Sequence, residues 1–429
     1  MQRRDFLTTG AKATGAALAL GSLATACAPA AGRAATSPSP VTGEPLHPAI
    51  AALAKREPPP AITPAEQAER RARAQRLMSE LNVGALFIES GPSLFYFTGV
   101  EWGRSERTFG MLLPKSGDAV LIAPSFEEQR AGVASGGRFP IRTWHEYESP
   151  FALIATTLRD MGVATGAVAV DETARYFIPR GIAAAAPSVT VTDAAPITHR
   201  LRGVKSAAEI ALMRFANQIT LEAFMASFQT LRTGITQADL ARTVSAAMTR
   251  LGFPGGALVL FGESSAYPHG SASPRPLAEG DVVLVDGGLQ VHGYSSDVTR
   301  TVTHGAPPAE VARVYDVVHR AQSAALAAAV PGAKCGDVDS AARRVIEDAG
   351  FGPADKFFTH RLGHGIGLEG HEWPYLVHGS EIVLKPGMSF SDEPGIYQYG
   401  KFGVRLEDVI VITESGAEML TTQAAATLV

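Results

Sequence analysis

Four carboxylates in the second half of the chain fall into two pairs whose spacing brings each pair together. Asp286 ends the apolar run Val282-Val283-Leu284-Val285, and Asp297 follows eleven residues later, after Gly293-Tyr294-Ser295-Ser296. A hairpin turn centred between Val291 and His292 predicts the two aspartates directly opposite each other, because antiparallel pairing is symmetric about the turn. Glu393 and Glu407 lie fourteen residues apart. A three-residue turn at Tyr399-Gly400-Lys401 pairs them in the same way, with Gly400 free to take a left-handed conformation. Unpaired buried charge is costly, so four converging carboxylates need a positive partner, and two divalent cations balance them. His364 sits between glycines in Leu362-Gly363-His364-Gly365-Ile366-Gly367, where bare backbone allows close approach, and is the natural nitrogen ligand. Four oxygen donors and one imidazole favour manganese or a similar ion over a thiolate-seeking one.

Two neighbouring patterns carry less. Gly365-Ile366-Gly367-Leu368-Glu369-Gly370 fits the dinucleotide fingerprint, but it opens no helix, sits in no βαβ unit and is soon followed by Pro374. His360 and His364 have the spacing of a zinc-protease helix, but Arg361 stands where that motif requires a glutamate.

The elements that must hold these residues are marked by their end signals. Ser206-Ala207-Ala208-Glu209 is a capping box that opens a long helix, Gly234 and Thr236 end it, and a second helix is expected over 237–251. Further helical patterns cover 309–329 and 338–349, with strand-like runs at 282–285, 299–303, 382–384 and 409–412. In the first half, Thr63-Pro64-Ala65-Glu66 starts an Arg-rich helix to about residue 81. Apolar runs at 85–88, 94–97, 111–113, 119–123, 167–170 and 189–191, mixed with a helix at 151–161, predict an α/β domain over 63–198 without a catalytic cluster.

The 429 residues are 46% hydrophobic and 19% charged, with 43 Gly and 28 Pro, which excludes a disordered or collagen-like chain and suits a loop-rich α/β enzyme. A net charge of −4 gives no clustered basic excess, so no nucleic-acid partner is expected. Cys27 and Cys335 alone make no disulfide framework. Residues 1–30 read as a twin-arginine export signal: Arg3-Arg4-Asp5-Phe6-Leu7 precedes a weakly apolar, Ala- and Gly-rich stretch over 13–26. That stretch is shorter than the ~20 residues needed to span a bilayer. Residues 31–62, rich in Ala, Pro and Ser and containing Pro58-Pro59-Pro60, read as a disordered linker. The expectation is export to the periplasm through the Tat translocase. Cys27 is the candidate lipid anchor, although Ala24 departs from a lipobox.

Five segments together resemble the pita-bread metallopeptidases, the family of prolidases, aminopeptidases P and methionine aminopeptidases. They are Val285-Asp286-Gly287-Gly288, Gly293 to Thr301, Gly363-His364-Gly365-Ile366-Gly367, Glu393-Pro394-Gly395-Ile396-Tyr397 and Gly403-Val404-Arg405-Leu406-Glu407-Asp408. The resemblance covers 199–429, the expected catalytic domain. Leu94-Phe95-Tyr96-Phe97-Thr98-Gly99 ties 63–198 more loosely to the creatinase/prolidase N-terminal domain and points to the proline-directed branch. The resemblance implies an α/β (α+β) fold, a C-terminal pita-bread domain behind an α/β creatinase-like domain. It implies Asp286, Asp297, His364, Glu393 and Glu407 as ligands of two divalent ions, most simply Mn²⁺, with Co²⁺, Zn²⁺ or Fe²⁺ as alternatives. Asp297 and Glu407 would bridge the ions. His269 and His371 match the family's catalytic histidines, Glu393 its proton shuttle, and His360 and Arg405 its substrate pocket. The implied reaction is hydrolysis of the Xaa-Pro bond in a proline-containing di- or oligopeptide by a homodimer or higher homo-oligomer. The alternatives are an aminopeptidase P acting on Xaa-Pro-Yaa, and a prolidase-like lyase or amidinohydrolase. The related lyase carries an extra acid where this chain has Gly288.

Overall fold

Thr63 caps the first long helix, Pro64–Glu80, through a reciprocal capping box: its hydroxyl accepts from the Glu66 N–H while the Glu66 carboxylate accepts from the Thr63 N–H. The computed structural model describes residues 46–270 and 275–428. The expected export signal, Cys27 and the first part of the expected linker lie outside the described residues. The helix covers one face of a six-stranded sheet built from Val83–Glu89 (β1), Gly110–Pro114 (β2), Val120–Pro124 (β3), Ile141–Trp144 (β4), Gly166–Val170 (β5) and Val189–Asp193 (β6), in the order β4-β3-β2-β1-β5-β6. Only β2 runs antiparallel to its neighbours. Along β1, Leu86 and Ile88 enter the core beneath that helix, while Ala85 and Phe87 enter a second core under Pro150–Asp160 and Phe177–Ala185. Alternation on a strand buried on both faces produces this split.

Some local expectations differ from the structure. Residues 94–97 form part of a helix, Pro92–Thr98, which starts on Pro92 and ends at Gly99 with φ 70°. A four-residue apolar run does not distinguish strand from helix, and the flanking Pro and Gly decide. Residues 382–384 form one bridge, Lys334 to Val383, rather than a strand. The described part of the expected linker, 46–62, is docked on the catalytic half. It contains the short helix Pro48–Ala51, Ile50 is buried, the Arg56 N–H donates to the Leu251 carbonyl, and the Arg56 guanidinium pairs with Glu222 at 2.8 Å. Three apolar side chains of this Pro-rich stretch, Ile50, Leu53 and Ile62, join the core.

In the second half the Ser206–Glu209 capping box opens Ala207–Phe228, and Thr236 caps Gln237–Leu251. These helices cover a sheet of Gly255–Phe261 (β7), Val282–Val291 (β8), Tyr294–Ser295 (β9) and Val298–Thr303 (β10). Helices Ala309–Ala328 and Cys335–Ile346 serve a second sheet. Its strands are Gly363–Gly365 (β11), Glu372–Leu376 (β12), Ser389–Asp392 (β13), Asp408–Thr413 (β16) and Gly416–Met419 (β17). Between β13 and β16 a two-stranded arm projects, Gly395–Gln398 (β14) and Phe402–Arg405 (β15). The two sheets meet where Thr299 and Glu407 exchange backbone hydrogen bonds.

Candidate metal centre

The second hairpin forms in the expected register. Tyr399–Lys401 make a three-residue turn with Gly400 at φ 77°, and β14 pairs with β15 from Gln398↔Phe402 to Gly395↔Arg405. Below the arm, β13 and β16 continue the register at Asp392↔Asp408. Glu393 and Glu407, lying between these ladders, therefore face each other. The first hairpin is displaced by one position. Its turn is His292-Gly293, with φ 48° and 86°, the positive pair of a type I′ turn. Asp286 consequently pairs with Thr299, not with Asp297. Moving the turn centre by one residue shifts the pairing by two, which keeps both aspartates on the same face. Asp297 crosses above Gly288, where any added Cβ would run into the Ser296 carbonyl oxygen.

Thr299 is the junction of the site. It lies opposite Asp286 in one sheet, opposite Glu407 across the seam, and its hydroxyl donates to the Glu407 carboxylate at 2.6 Å. Ligand atoms of Asp286, Asp297 and Glu407 lie within 4.8 Å of one another, as do those of His364, Glu393 and Glu407. Glu407 belongs to both groups. A third group joins Asp297, His364 and His371. The His364 Nδ1–H donates to the Gly365 carbonyl, which aims Nε2 at the Glu393 carboxylate, 3.2 Å away, and at Asp297, 3.7 Å away. Ser391 accepts from the His364 N–H and donates to Glu393. The side-chain amide oxygen of Asn217 accepts from the Asp297 N–H.

Crowding sets the charge states. Asp297 is pushed up to about 8, first by burial and then by Asp286, partly offset by His364. Glu407 is raised well above the carboxylate range by burial and by Asp297. Burial also opposes ionisation of Glu393, but the hydrogen bond and charge of His364 outweigh it and hold its carboxyl low. Burial lowers the His364 pKa, and its contacts with Glu393 more than reverse this. Without cations the cluster keeps protons it would lose in water. A donor set of four carboxylates and an imidazole, with a shared glutamate, fits hard or intermediate divalent metal ions.

The remaining expected residues have different fates. His371 stacks on His364, with ring centroids 3.6 Å apart and planes at 15°. Burial and the charge of His364 push it down to about 4, so it is neutral at physiological pH. His360 lies 3.9 Å from Glu393 and accepts from the Tyr397 hydroxyl at 2.7 Å, while its Nδ1–H donates to the Arg361 carbonyl. Arg405, expected in the substrate pocket, is 3% exposed, and its guanidinium is committed to Asp286 at 2.6 Å, Tyr397 at 2.9 Å and Thr299 at 3.2 Å. In this arrangement its guanidinium fixes the Asp286 carboxylate and the Tyr397 and Thr299 hydroxyls relative to one another. His269 is exposed and outside the ligand groups, although the carbonyl of its neighbour Pro268 accepts from Arg405. Sequence reasoning missed Thr299, Tyr397, Ser391 and Asn217. The first two lie inside motifs already singled out, but single hydroxyl or amide side chains give no spacing signal of their own.

Residues 211–414 match the profile of metallopeptidase family M24, and 70–204 match that of the creatinase/prolidase N-terminal domain. A probable dipeptidase PepE of Mycobacterium tuberculosis is 37% identical over 355 residues, covering 82% of this chain and 93% of the relative. This chain belongs to metallopeptidase family M24. Within M24, an Xaa-Pro dipeptidase of Pyrococcus furiosus is 31% identical over 356 residues, 82% of this chain and 97% of that protein. The crystal structure of dipeptidase PepE from Mycobacterium ulcerans superposes with TM-score 0.80 at 35% identity, covering 86% of this chain and 99% of that one. The fold is the pita-bread fold with a creatinase-like N-terminal domain, and the M24 chain is a metallopeptidase.

Proposed function

We propose that this M24 peptidase hydrolyses the Xaa-Pro bond of short peptides, as a dipeptidase, at a centre of two divalent metal ions held by Asp286, Asp297, His364, Glu393 and Glu407. The sharing of Glu407 between two ligand groups carries the reading, because one carboxylate within reach of both groups is what a pair of adjacent ions requires. Two ions bound there supply Lewis acidity and a nucleophilic water near neutral pH. Glu393, ionised and itself a member of the cluster, is placed to accept and return a proton. His371, neutral and exposed beside His364, can donate a hydrogen bond to a developing oxyanion. Proline leaves as a basic secondary amine, so a nearby proton source speeds its departure. The lyase alternative loses support at Gly288, since the backbone crossing it leaves no room for an additional acid. Mn²⁺ as the metal and assembly as a homodimer belong to the same proposal, on the family resemblance. So does Tat-dependent export to the periplasm, on the Arg3-Arg4 segment.

The test compares an Xaa-Pro dipeptide with an Xaa-Pro-Yaa tripeptide after chelation and addition of Mn²⁺. Dipeptide cleavage that disappears with chelator and returns with metal is the expected result. Exclusive tripeptide cleavage makes the enzyme an aminopeptidase P, and full activity after complete metal removal overturns the metal-dependent reading.

A further inference from the structure

The loop that carries His371 is held from outside the metal centre. It runs from Ile366 to His371 between β11 and β12, and Gly365 and Glu372 face each other at its base. The His371 ring has the stack on His364 but no hydrogen bond among the described contacts, so its position depends on the backbone at either end. At the amino end, the Gly367 carbonyl accepts from the Ser295 N–H at 2.8 Å, which ties the loop to the segment leading into Asp297. At the carboxyl end stands Glu372, immediately after His371.

Glu372 is buried and receives two cations from the connection between the domains. The Arg202 guanidinium, at the end of helix Ala195–Arg202, donates to it at 2.5 Å, and the Lys205 ammonium donates at 2.7 Å. Arg202 reaches Glu369 in the same loop at 2.6 Å and the Ser93 hydroxyl of the N-terminal domain at 3.0 Å. Two cations and two carboxylates leave the cluster neutral. It packs directly under the glycine run, since a Cβ on Gly367 would lie 2.7 Å from the Glu372 carboxylate. The Arg202 Nε is buried without a partner, so the guanidinium is oriented for the two glutamates at the expense of one of its own donors.

We propose that Arg202, Lys205, Glu369 and Glu372 form a positioning device for His371, through which the N-terminal domain and its linker hold the imidazole against His364. The inference rests on the role given to His371 in the proposed reaction. A misplacement of about 1 Å far from the chemistry can cost on the order of 10²-fold in rate, and a stacked ring without hydrogen bonds has nothing of its own to prevent one.

The test uses full-length protein with ¹³C-labelled histidine rings, wild type and the variants Arg202→Met, Arg202→Lys and Glu369→Gln. In the metal-free protein the His371 ring resonance, identified by its loss in His371→Gln, is displaced by the His364 ring current. Arg202→Met is expected to move it towards the unstacked position. In the metal-loaded enzyme the same variant should lower kcat about 10- to 100-fold with KM within about two-fold, and Arg202→Lys should recover part of both effects. If Arg202→Met does not fold, Glu369→Gln takes its place with a smaller change in the same direction. A folded variant with the wild-type His371 resonance and kcat overturns the proposal and leaves the cluster purely structural. A displaced resonance in a protein whose wild type cleaves no Xaa-Pro substrate supports the positioning and retires the activity reading instead.

Discussion

Glu407 accepts a hydrogen bond from Thr299, lies within ligand distance of both carboxylate groups and is buried, so its charge has to be met from inside the site. Arg405 and His364 supply part of the positive charge, and the raised proton affinities of Asp297 and Glu407 show the remainder. For Asp297 the folded value, about 8, stands above its ordinary 3.8. Between those limits the folded metal-free protein holds a proton that the unfolded chain has released. Its contribution to stability is full below about pH 4 and declines as pH rises towards 8. Thermal unfolding of chelated protein should therefore show a falling midpoint across this window. Metal binding should remove the decline and release protons, seen by calorimetry in buffers of different ionisation enthalpy. A midpoint independent of pH in the chelated protein contradicts this charge assignment. Glu393→Gln, which takes away a proposed ligand and proton acceptor together, should lower kcat by about 10³-fold or more while the far-UV circular dichroism stays native. Turnover near the wild-type rate in that variant would falsify the role of Glu393.

At the scale of elements, hairpin geometry converts sequence spacing into ligand geometry. The arm ending at Tyr399–Lys401 was legible because the two glutamates are symmetric about a glycine that accepts a positive φ. The other turn was misplaced by one residue, since symmetry about the aspartates suggested Val291-His292 while the backbone required glycine at the second position of the turn. The face survived that error because the register moved by two. What could not be read was the seam at Thr299 and Glu407, which joins strands more than a hundred residues apart through contacts that no local pattern encodes. The same limit explains Arg405, whose burial against Asp286 follows from how the arm folds over β8. Gly288 tests this account of the first hairpin. Gly288→Ala puts a methyl group against the Ser296 carbonyl and must push the Ser296-Asp297 backbone aside. The expected result is a cost of about 1–3 kcal/mol in unfolding free energy, together with weaker metal retention on dialysis. Unchanged stability and metal content would show that the crossing is looser than the structure has it.

Across the whole molecule, the N-terminal domain is tied to the catalytic half by buried charge as well as by a shared core. Arg70, from the first long helix, pairs with Glu209 at 3.2 Å and donates to the Tyr294 hydroxyl, which in turn donates to Glu209. Tyr294 stands three residues before Asp297, so this knot and the Arg202 cluster both reach segments that carry candidate metal-site residues. A site assembled from both sheets and braced from the neighbouring domain is complete only after the chain has folded. That dependence bears on the proposed route of export. The twin-arginine route carries folded cargo, so a metallopeptidase that follows it can acquire its ions in the cytoplasm, where their supply is controlled. Replacing Arg3-Arg4 with Lys-Lys should leave active, uncleaved precursor in the cytoplasm and remove peptidase activity from the periplasmic fraction, as followed by immunoblot and Xaa-Pro hydrolysis of each fraction. Undiminished export of the Lys-Lys variant, or export that stops when the general secretory pathway is blocked, overturns this route. Mass spectrometry of the mature amino terminus completes the test: a diacylglyceryl group on Cys27 identifies an anchored enzyme, whereas an unmodified terminus beyond it identifies the soluble periplasmic form that Ala24, in a poor lipobox, favours.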